Sequence, residues 1–295
     1  KVINLLIIAL LLCMDFLIAS STENLCELLA EDPTRQLLAG GTDFMVEVNF
    51  RHRDVSGVIA IDRIEDLKQW RHDGDSVLIG SCVTYREIER GPLSTLIPAL
   101  AQSARTIGSP QIRNAGTIGG NLATASPAGD MIPVLLALGA QVNIRSKSGT
   151  RQLQVDELIT GVKTNSLQED EFIESVRVPV LRGPQEFLKV GPRNAMVISV
   201  TSLAMVTDID KEFIGIALGS VSASPCRSKE AEYFISENID WNNMTVQSGA
   251  IENFERLIRE SANPIDDHRS SSAYRTHTIG VLGRRALLRI FRLEN

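Results

Sequence analysis

Cysteine is scarce in this sequence and never clustered. Cys13, Cys26, Cys82 and Cys226 are the only four in 295 residues, and none lies within metal-ligand spacing of another. That spacing argues against an iron–sulfur cluster or zinc ribbon within the chain, and the four read as scattered reduced thiols of a cytoplasmic protein. The four histidines, His52, His72, His268 and His277, are equally isolated. There is no His-Glu-x-x-His pair and no Gly-x-Ser-x-Gly elbow, so zinc-protease and serine-hydrolase chemistry lack support. Aromatic residues make up 5% and the net charge is −6. A nucleic-acid binder would normally show a basic face and stacking rings, and both are missing. The long hydrophobic run needed to cross a membrane is also missing. Residues 1–13, KVINLLIIALLLC, are apolar but too short to span a bilayer alone. Met14-Asp15-Phe16 looks like a natural start, so residues 1–13 read as upstream sequence rather than as a secretion signal.

Glycine, by contrast, is abundant in two places far apart. One is Leu37-Leu38-Ala39-Gly40-Gly41-Thr42-Asp43. The other is Gly116-Thr117-Ile118-Gly119-Gly120-Asn121, followed by Ala125-Ser126-Pro127-Ala128-Gly129-Asp130. Adjacent glycines expose consecutive backbone N–H groups with no Cβ in the way, and such loops at helix starts cradle phosphate with partial charges. Two of them brought together could hold both phosphates of a dinucleotide. No Gly-x-Gly-x-x-Gly is present, so the pattern does not indicate a Rossmann fold.

The chain is long enough for two cores. Residues 21–31 read as a helix with Ser21 or Thr22 as its N-cap, and residues 35–39 as a strand entering the first glycine loop. Asp43 is placed to cap the helix that follows. Residues 58–61 and 76–80 read as strands, and residues 64–70, 85–90 and 98–106 as helices. Residues 107–121 lack periodicity and read as a long loop, which in a compact domain is usually functional. Asp130 opens a further helix. Residues 141–144 and 152–155 form a hairpin, and residues 172–180 a strand. After Arg182-Gly183-Pro184 the texture changes to a β-rich hairpin, residues 197–206 and 213–221, and three helical stretches at 228–235, 245–260 and 273–291. A domain boundary is expected near Gly183, giving segments 1–13, 14–183 and 184–295.

This ordered set of motifs resembles the FAD-binding (medium) subunits of the molybdenum hydroxylases, the family of xanthine dehydrogenase and carbon monoxide dehydrogenase. Ala39-Gly40-Gly41-Thr42-Asp43 and Thr117-Ile118-Gly119-Gly120-Asn121 are similar to its two pyrophosphate loops. Ser109-Pro110-Gln111-Ile112-Arg113-Asn114 resembles the approach to the second. Phe187-Leu188-Lys189-Val190-Gly191-Pro192-Arg193 resembles the start of its C-terminal module, and Pro264-Ile265-Asp266-Asp267 with Ala273-Tyr274-Arg275 its final helix. The carbon monoxide subgroup commonly has His-Ser where this chain has Thr42-Asp43.

The resemblance implies an α+β protein: a two-subdomain FAD-binding domain of the vanillyl-alcohol-oxidase type, then a smaller α+β C-terminal domain of sheet and helices. It implies non-covalent FAD, with molybdopterin and [2Fe–2S] centres carried only on partner subunits. Electrons would pass from the [2Fe–2S] subunit through FAD to NAD or another acceptor. The residues implied at the cofactor are Leu38, Ala39, Gly40, Gly41, Thr42, Asp43, Thr117, Ile118, Gly119, Gly120, Asn121, Asp130, Ile173 and Lys189, with none assigned to catalysis or metal. Two readings stand for several of them. Asn121 orders the loop or donates to the cofactor. Asp130 caps a helix or meets the ribityl and ribose hydroxyls. Lys189 is a surface lysine on a strand, or the cation at the N1–C2 edge of the flavin ring, which the resemblance places beside Ile173 and Lys189. A self-sufficient FAD oxidoreductase of the same fold and a scaffold subunit without flavin are the alternatives.

Overall fold

A computed structural model describes residues 15–294; residues 1–14, with Cys13 and Met14, and Asn295 lie outside the described residues. Three short strands open the chain: β1 (Asp15–Ile18), β2 (Gln36–Leu38) and β3 (Gly57–Ala60). They form a parallel sheet in the order β1-β3-β2. The helix Thr22–Glu31 crosses between β1 and β2, and the Ser21 hydroxyl caps it by accepting the Asn24 N–H at 3.1 Å. Its Leu25, Cys26 and Leu29 are buried with Ile59, Ile61, Ile64 and Phe172 in a small core of their own.

A five-stranded antiparallel sheet follows, from β4 (Trp70–Asp73), β5 (Ser76–Gly80), β6 (Gln141–Ser146), β7 (Gly149–Gln154) and a later strand, β10 (Phe172–Pro179). The short hairpin β8 (Ile159–Gly161) and β9 (Thr164–Asn165) lies between β7 and β10 in the chain. The sheet order is β4-β5-β10-β6-β7. Buried and half-buried residues alternate along β6, as a strand with one face on a core requires. Register in β10 slips between Ile173 and Ser175. Glu174 is therefore the extra residue of a β-bulge, and bulges re-aim side chains.

Helices fill the space between this sheet and a third one, built from β11 (Gln185–Val190), β12 (Thr201–Asp208), β13 (Phe213–Gly219) and β14 (Cys226–Arg227). Every residue of β12 is buried because both faces of the strand are covered. Ala204 and Val206 join the large core shared with the helix Met131–Ala137. Leu203 and Met205 turn the other way, into a core with Phe254 and Ile258 of the helix Ile251–Glu260 and Ile279, Leu282 and Leu287 of the helix Ser272–Ile290. The C-terminal sheet is thus sandwiched, and around Ala204, Val206 and Ala217 its seam with the preceding helices is apolar.

Several expected elements are redrawn. Residues 107–121 are not a loop: they hold the helix Pro110–Ala115 and the start of the helix Ile118–Thr124. Each has a cap, since the Ser109 hydroxyl accepts the Ile112 N–H and the Thr117 hydroxyl accepts the Gly120 N–H. Residues 64–70 yield only a turn of 3₁₀-helix, Glu65–Lys68, before β4 begins. The helix expected from residue 245 starts at Ile251.

The C-terminal helix is anchored by Asp267. Its carboxylate accepts the N–H groups of Arg269 at 2.8 Å and Ser270 at 3.1 Å, and pairs with Arg275 at 2.8 Å. Burial alone would raise this carboxyl; those donors outweigh it and hold it at about 2, against an ordinary 3.8. A carboxyl lowered on folding stabilises fully above its unfolded value, and that stability is lost as pH falls through the folded one. Denaturation midpoints measured from about pH 4 down to about pH 2 should fall less steeply in Asp267→Asn than in the wild type. Equal slopes would show that this carboxylate carries no such linkage.

Candidate cofactor site

The first glycine loop leaves β2 and enters the short helix Phe44–Asn49. Leu38, Ala39, Gly40, Gly41 and Thr42 are half-buried and Asp43 is exposed. Gly41 has φ +68°, the left-handed region that favours glycine. The backbone N–H groups of Gly40, Gly41, Thr42 and Asp43 meet no acceptor among the described residues. Asp43 stands at the helix start with helical dihedrals and makes no side-chain cap. The capping role expected for it is absent, because its backbone has already turned into the helix.

The second loop is built differently. Ile118 donates its N–H to Val83, Gly119 to Ser81, Gly120 to the Thr117 hydroxyl and Asn121 to the Thr117 carbonyl. The run of free donors expected here is therefore not present. Thr117, Ile118 and Gly119 are buried. Gly119 is needed for close packing: a Cβ there would lie 2.5 Å from the Ser81 Cβ. The two loops touch. A Cβ on Gly40 would fall 1.7 Å from the Ala115 carbonyl oxygen, so Gly40 sits flat against the peptide that leads into the second loop.

Beside that contact lies a cleft of 550 Å³, whose lining includes Ala39, Gly40, Ala115 and Thr117 of the two loops together with Lys68 and Cys82. This volume suits a small-molecule or cofactor site. Burial pushes the Cys82 thiol up to about 11, so it stays protonated and unreactive. A second recess of 310 Å³ runs past Thr22 and Trp70, but its Arg145 is already paired with Glu23 and Glu174.

Asp130 and Lys189 meet at the seam with the C-terminal sheet. The ammonium of Lys189 lies 2.5 Å from the Asp130 carboxylate, with the two side chains only 8% and 5% exposed. The same ammonium donates to the Thr106 carbonyl, and the hydroxyls of Ser199 and Thr106 donate to Asp130. Burial pushes the Asp130 carboxyl above the usual range, opposed chiefly by Lys189. Asp130 makes no helix cap, and Lys189 is not a surface lysine; each is occupied by the other. Ile173 is buried in β10 opposite Ile144 and faces the large core.

Two buried polar atoms next to these loops have no partner among the described residues: Ser81 Oγ and Asn121 Oδ1. Ser81 was not foreseen. Its only trace in the sequence is a serine placed just after the Gly80 that ends a strand. Four free amides and a left-handed glycine fit an anionic group such as a dinucleotide pyrophosphate, while the Asn121 oxygen, an acceptor, and the Ser81 hydroxyl fit hydroxyl groups beside it.

Residues 12–181 match the family described as the FAD binding domain in molybdopterin dehydrogenase, and residues 186–290 match the CO dehydrogenase flavoprotein C-terminal domain. The chain belongs to the FAD-binding subunits of the molybdenum hydroxylases. It is 33% identical over 212 residues to the nicotinate dehydrogenase FAD-subunit of Eubacterium barkeri, covering 68% of this chain and 72% of that one. It is 29% identical to the glyceraldehyde dehydrogenase medium chain of Sulfolobus acidocaldarius, over 91% of this chain and 95% of the other. Its fold is similar to a chain of carbon monoxide dehydrogenase from Hydrogenophaga pseudoflava, in a form that lacks the Mo-pyranopterin moiety of the molybdenum cofactor. The TM-score is 0.86 at 25% identity, with 94% and 96% of the two chains covered. This FAD-binding flavoprotein is accordingly an oxidoreductase subunit. No helix among its described residues is long and apolar enough to cross a membrane.

Proposed function

We propose that the chain is the FAD-carrying electron-transfer subunit of a xanthine dehydrogenase-like enzyme. A [2Fe–2S] subunit and a molybdopterin-binding large subunit would be its partners, and NAD its acceptor. When bound, FAD supplies a two-electron carrier between such a donor and such an acceptor. The observation that carries the reading is the set of four unpaired amides, Gly40 to Asp43, set against the rigid second loop.

In this reading those amides bind the pyrophosphate, helped by the Thr42 hydroxyl. The Thr117 hydroxyl accepts from Gly120, which leaves its own proton to donate. Leu38, Ala39, Ile118, Gly119 and Gly120 shape the walls. Asn121 and Ser81 offer their orphaned oxygens to cofactor hydroxyls. Asp130 meets the ribityl chain, and Ile173 and Lys189 border the ring. Residues 14–183 form the FAD domain and 184–295 the flavoprotein C-terminal domain. The three described cysteines, Cys26, Cys82 and Cys226, are free, which supports a cytoplasmic setting.

In this reading the molybdenum and iron–sulfur centres belong to the partner subunits. Acid precipitation of the native flavoprotein should release FAD into the supernatant; flavin that stays in the pellet would refute non-covalent binding. After chemical reduction of the isolated chain, anaerobic NAD should reoxidise the flavin, and xanthine alone should not bleach it. Bleaching by xanthine without partners would replace this reading with the self-sufficient oxidoreductase.

A further inference from the structure

The motif Asp266-Asp267 with Ala273-Tyr274-Arg275 lies on the far side of the C-terminal sheet from the glycine loops, yet its arginine reaches back toward the seam. Arg275 is 5% exposed. One guanidinium nitrogen donates to the Val200 carbonyl at 3.0 Å and to the Ser220 carbonyl at 2.7 Å, while another holds Asp267 at 2.8 Å. A buried guanidinium is costly unless it is paired, so these contacts fix where it sits.

Both carbonyls belong to segments that touch the seam. Val200 follows Ser199, whose hydroxyl donates to Asp130, and the Val200 N–H donates at 2.8 Å to Val190, next to Lys189. Ser220 has φ +62°, an uncommon conformation for a serine, and its N–H donates at 2.8 Å to the Pro127 carbonyl. Pro127 sits on the loop that runs from Ala125, itself at φ +48°, to Asp130. Two routes therefore lead from one guanidinium to the Asp130–Lys189 pair. Through Val200 it reaches Ser199 and the end of β11. Through Ser220 it reaches the Pro127 loop. The left-handed backbone at Ser220 persists because its N–H and its carbonyl are both gripped.

We propose that Arg275 is a positioning residue: it clamps the two C-terminal segments that hold Asp130 and Lys189, and so sets the ring end of the cofactor site without touching the pyrophosphate end. The inference rests on the reading that Asp130 and Lys189 border the flavin.

The test compares FAD with ADP, which carries the pyrophosphate and adenosine but no flavin. Affinities of both are titrated into the flavin-free full chain for wild type, Arg275→Met, Arg275→Lys and the exposed control Arg256→Ala. Arg275→Met should weaken FAD about tenfold and leave ADP within about twofold, with a shifted flavin absorbance band. Arg275→Lys should recover part of the loss, and Arg256→Ala should match wild type. If Arg275→Met fails to fold, Asp267→Asn, which frees the guanidinium from its anchor, should change the FAD-to-ADP ratio in the same direction. Equal losses of FAD and ADP, or an unchanged ratio in every foldable variant, would overturn the positioning role while leaving FAD binding intact. A wild-type chain that binds neither ligand would overturn the FAD reading and this inference with it.

Discussion

Gly40→Ala should abolish measurable FAD binding, whereas Gly120→Ala should retain most of it. The two glycines look alike in sequence but meet different surroundings. A methyl group on Gly40 would overlap the Ala115 carbonyl at 1.7 Å, and backbone cannot swing aside as a flexible side chain can. The only relief is to part the two loops, which opens the cleft between them. On Gly120 the same methyl group would meet only the Thr117 hydroxyl, at 3.0 Å. The Gly40 variant should lose at least about a hundredfold in affinity, close to 3 kcal/mol, when flavin-free protein is titrated with FAD. Both variants should keep their far-ultraviolet dichroism, because the C-terminal core draws on neither loop. Equal affinities in the two variants would remove the loop contact from the account of the site.

Lys189→Met should be the most destabilising single change at the seam. It leaves the Asp130 carboxylate buried with only hydroxyl donors, and breaking a buried ion pair from one side typically costs about 3–5 kcal/mol. Urea denaturation of the flavin-free protein near neutral pH would measure it. Burial already pushes the Asp130 carboxyl upward, so the sign with pH follows. A carboxyl raised on folding weighs against the fold at a pH above its folded value, and protonation relieves that as pH falls. The penalty of Lys189→Met should therefore shrink on acidification. Adding Asp130→Asn should restore most of the stability, since a neutral amide can still accept from Ser199. A single-variant cost below about 1 kcal/mol, the range of exposed pairs, would mean that the pair is not buried in solution.

Part of the local chemistry was readable from the sequence where both partners lie close in the chain, although neither Asp43 nor Asp130 makes the helix cap expected of it. Ser21 caps its helix as expected, and both glycine loops stand between a strand or turn and a helix. The two helices within residues 107–121 were also written locally, as Ser109-Pro110 and Thr117 caps, but each is only one or two turns long and shows no periodicity to read. What could not be read is whatever depends on distant partners. Asp130 takes its cation and one hydroxyl from Lys189 and Ser199, on strands and loops far along the chain. The Gly119 N–H is engaged by Ser81, at the end of a strand whose place depends on the whole five-stranded sheet. A glycine pattern reports that backbone can come close; it does not report to what.

The unequal wiring of the two loops divides the hydrogen bonding of cofactor capture. The second loop has its amides satisfied before any ligand arrives, so its ordering is complete when the domain folds. The first presents four unsatisfied amides at the tip of a three-stranded lobe with a small core. There the hydrogen bonds of the loop's amides are left for a guest to supply. The protein thus resembles an anvil and a latch, one jaw already bonded to its own chain and one whose backbone donors are left for its guest.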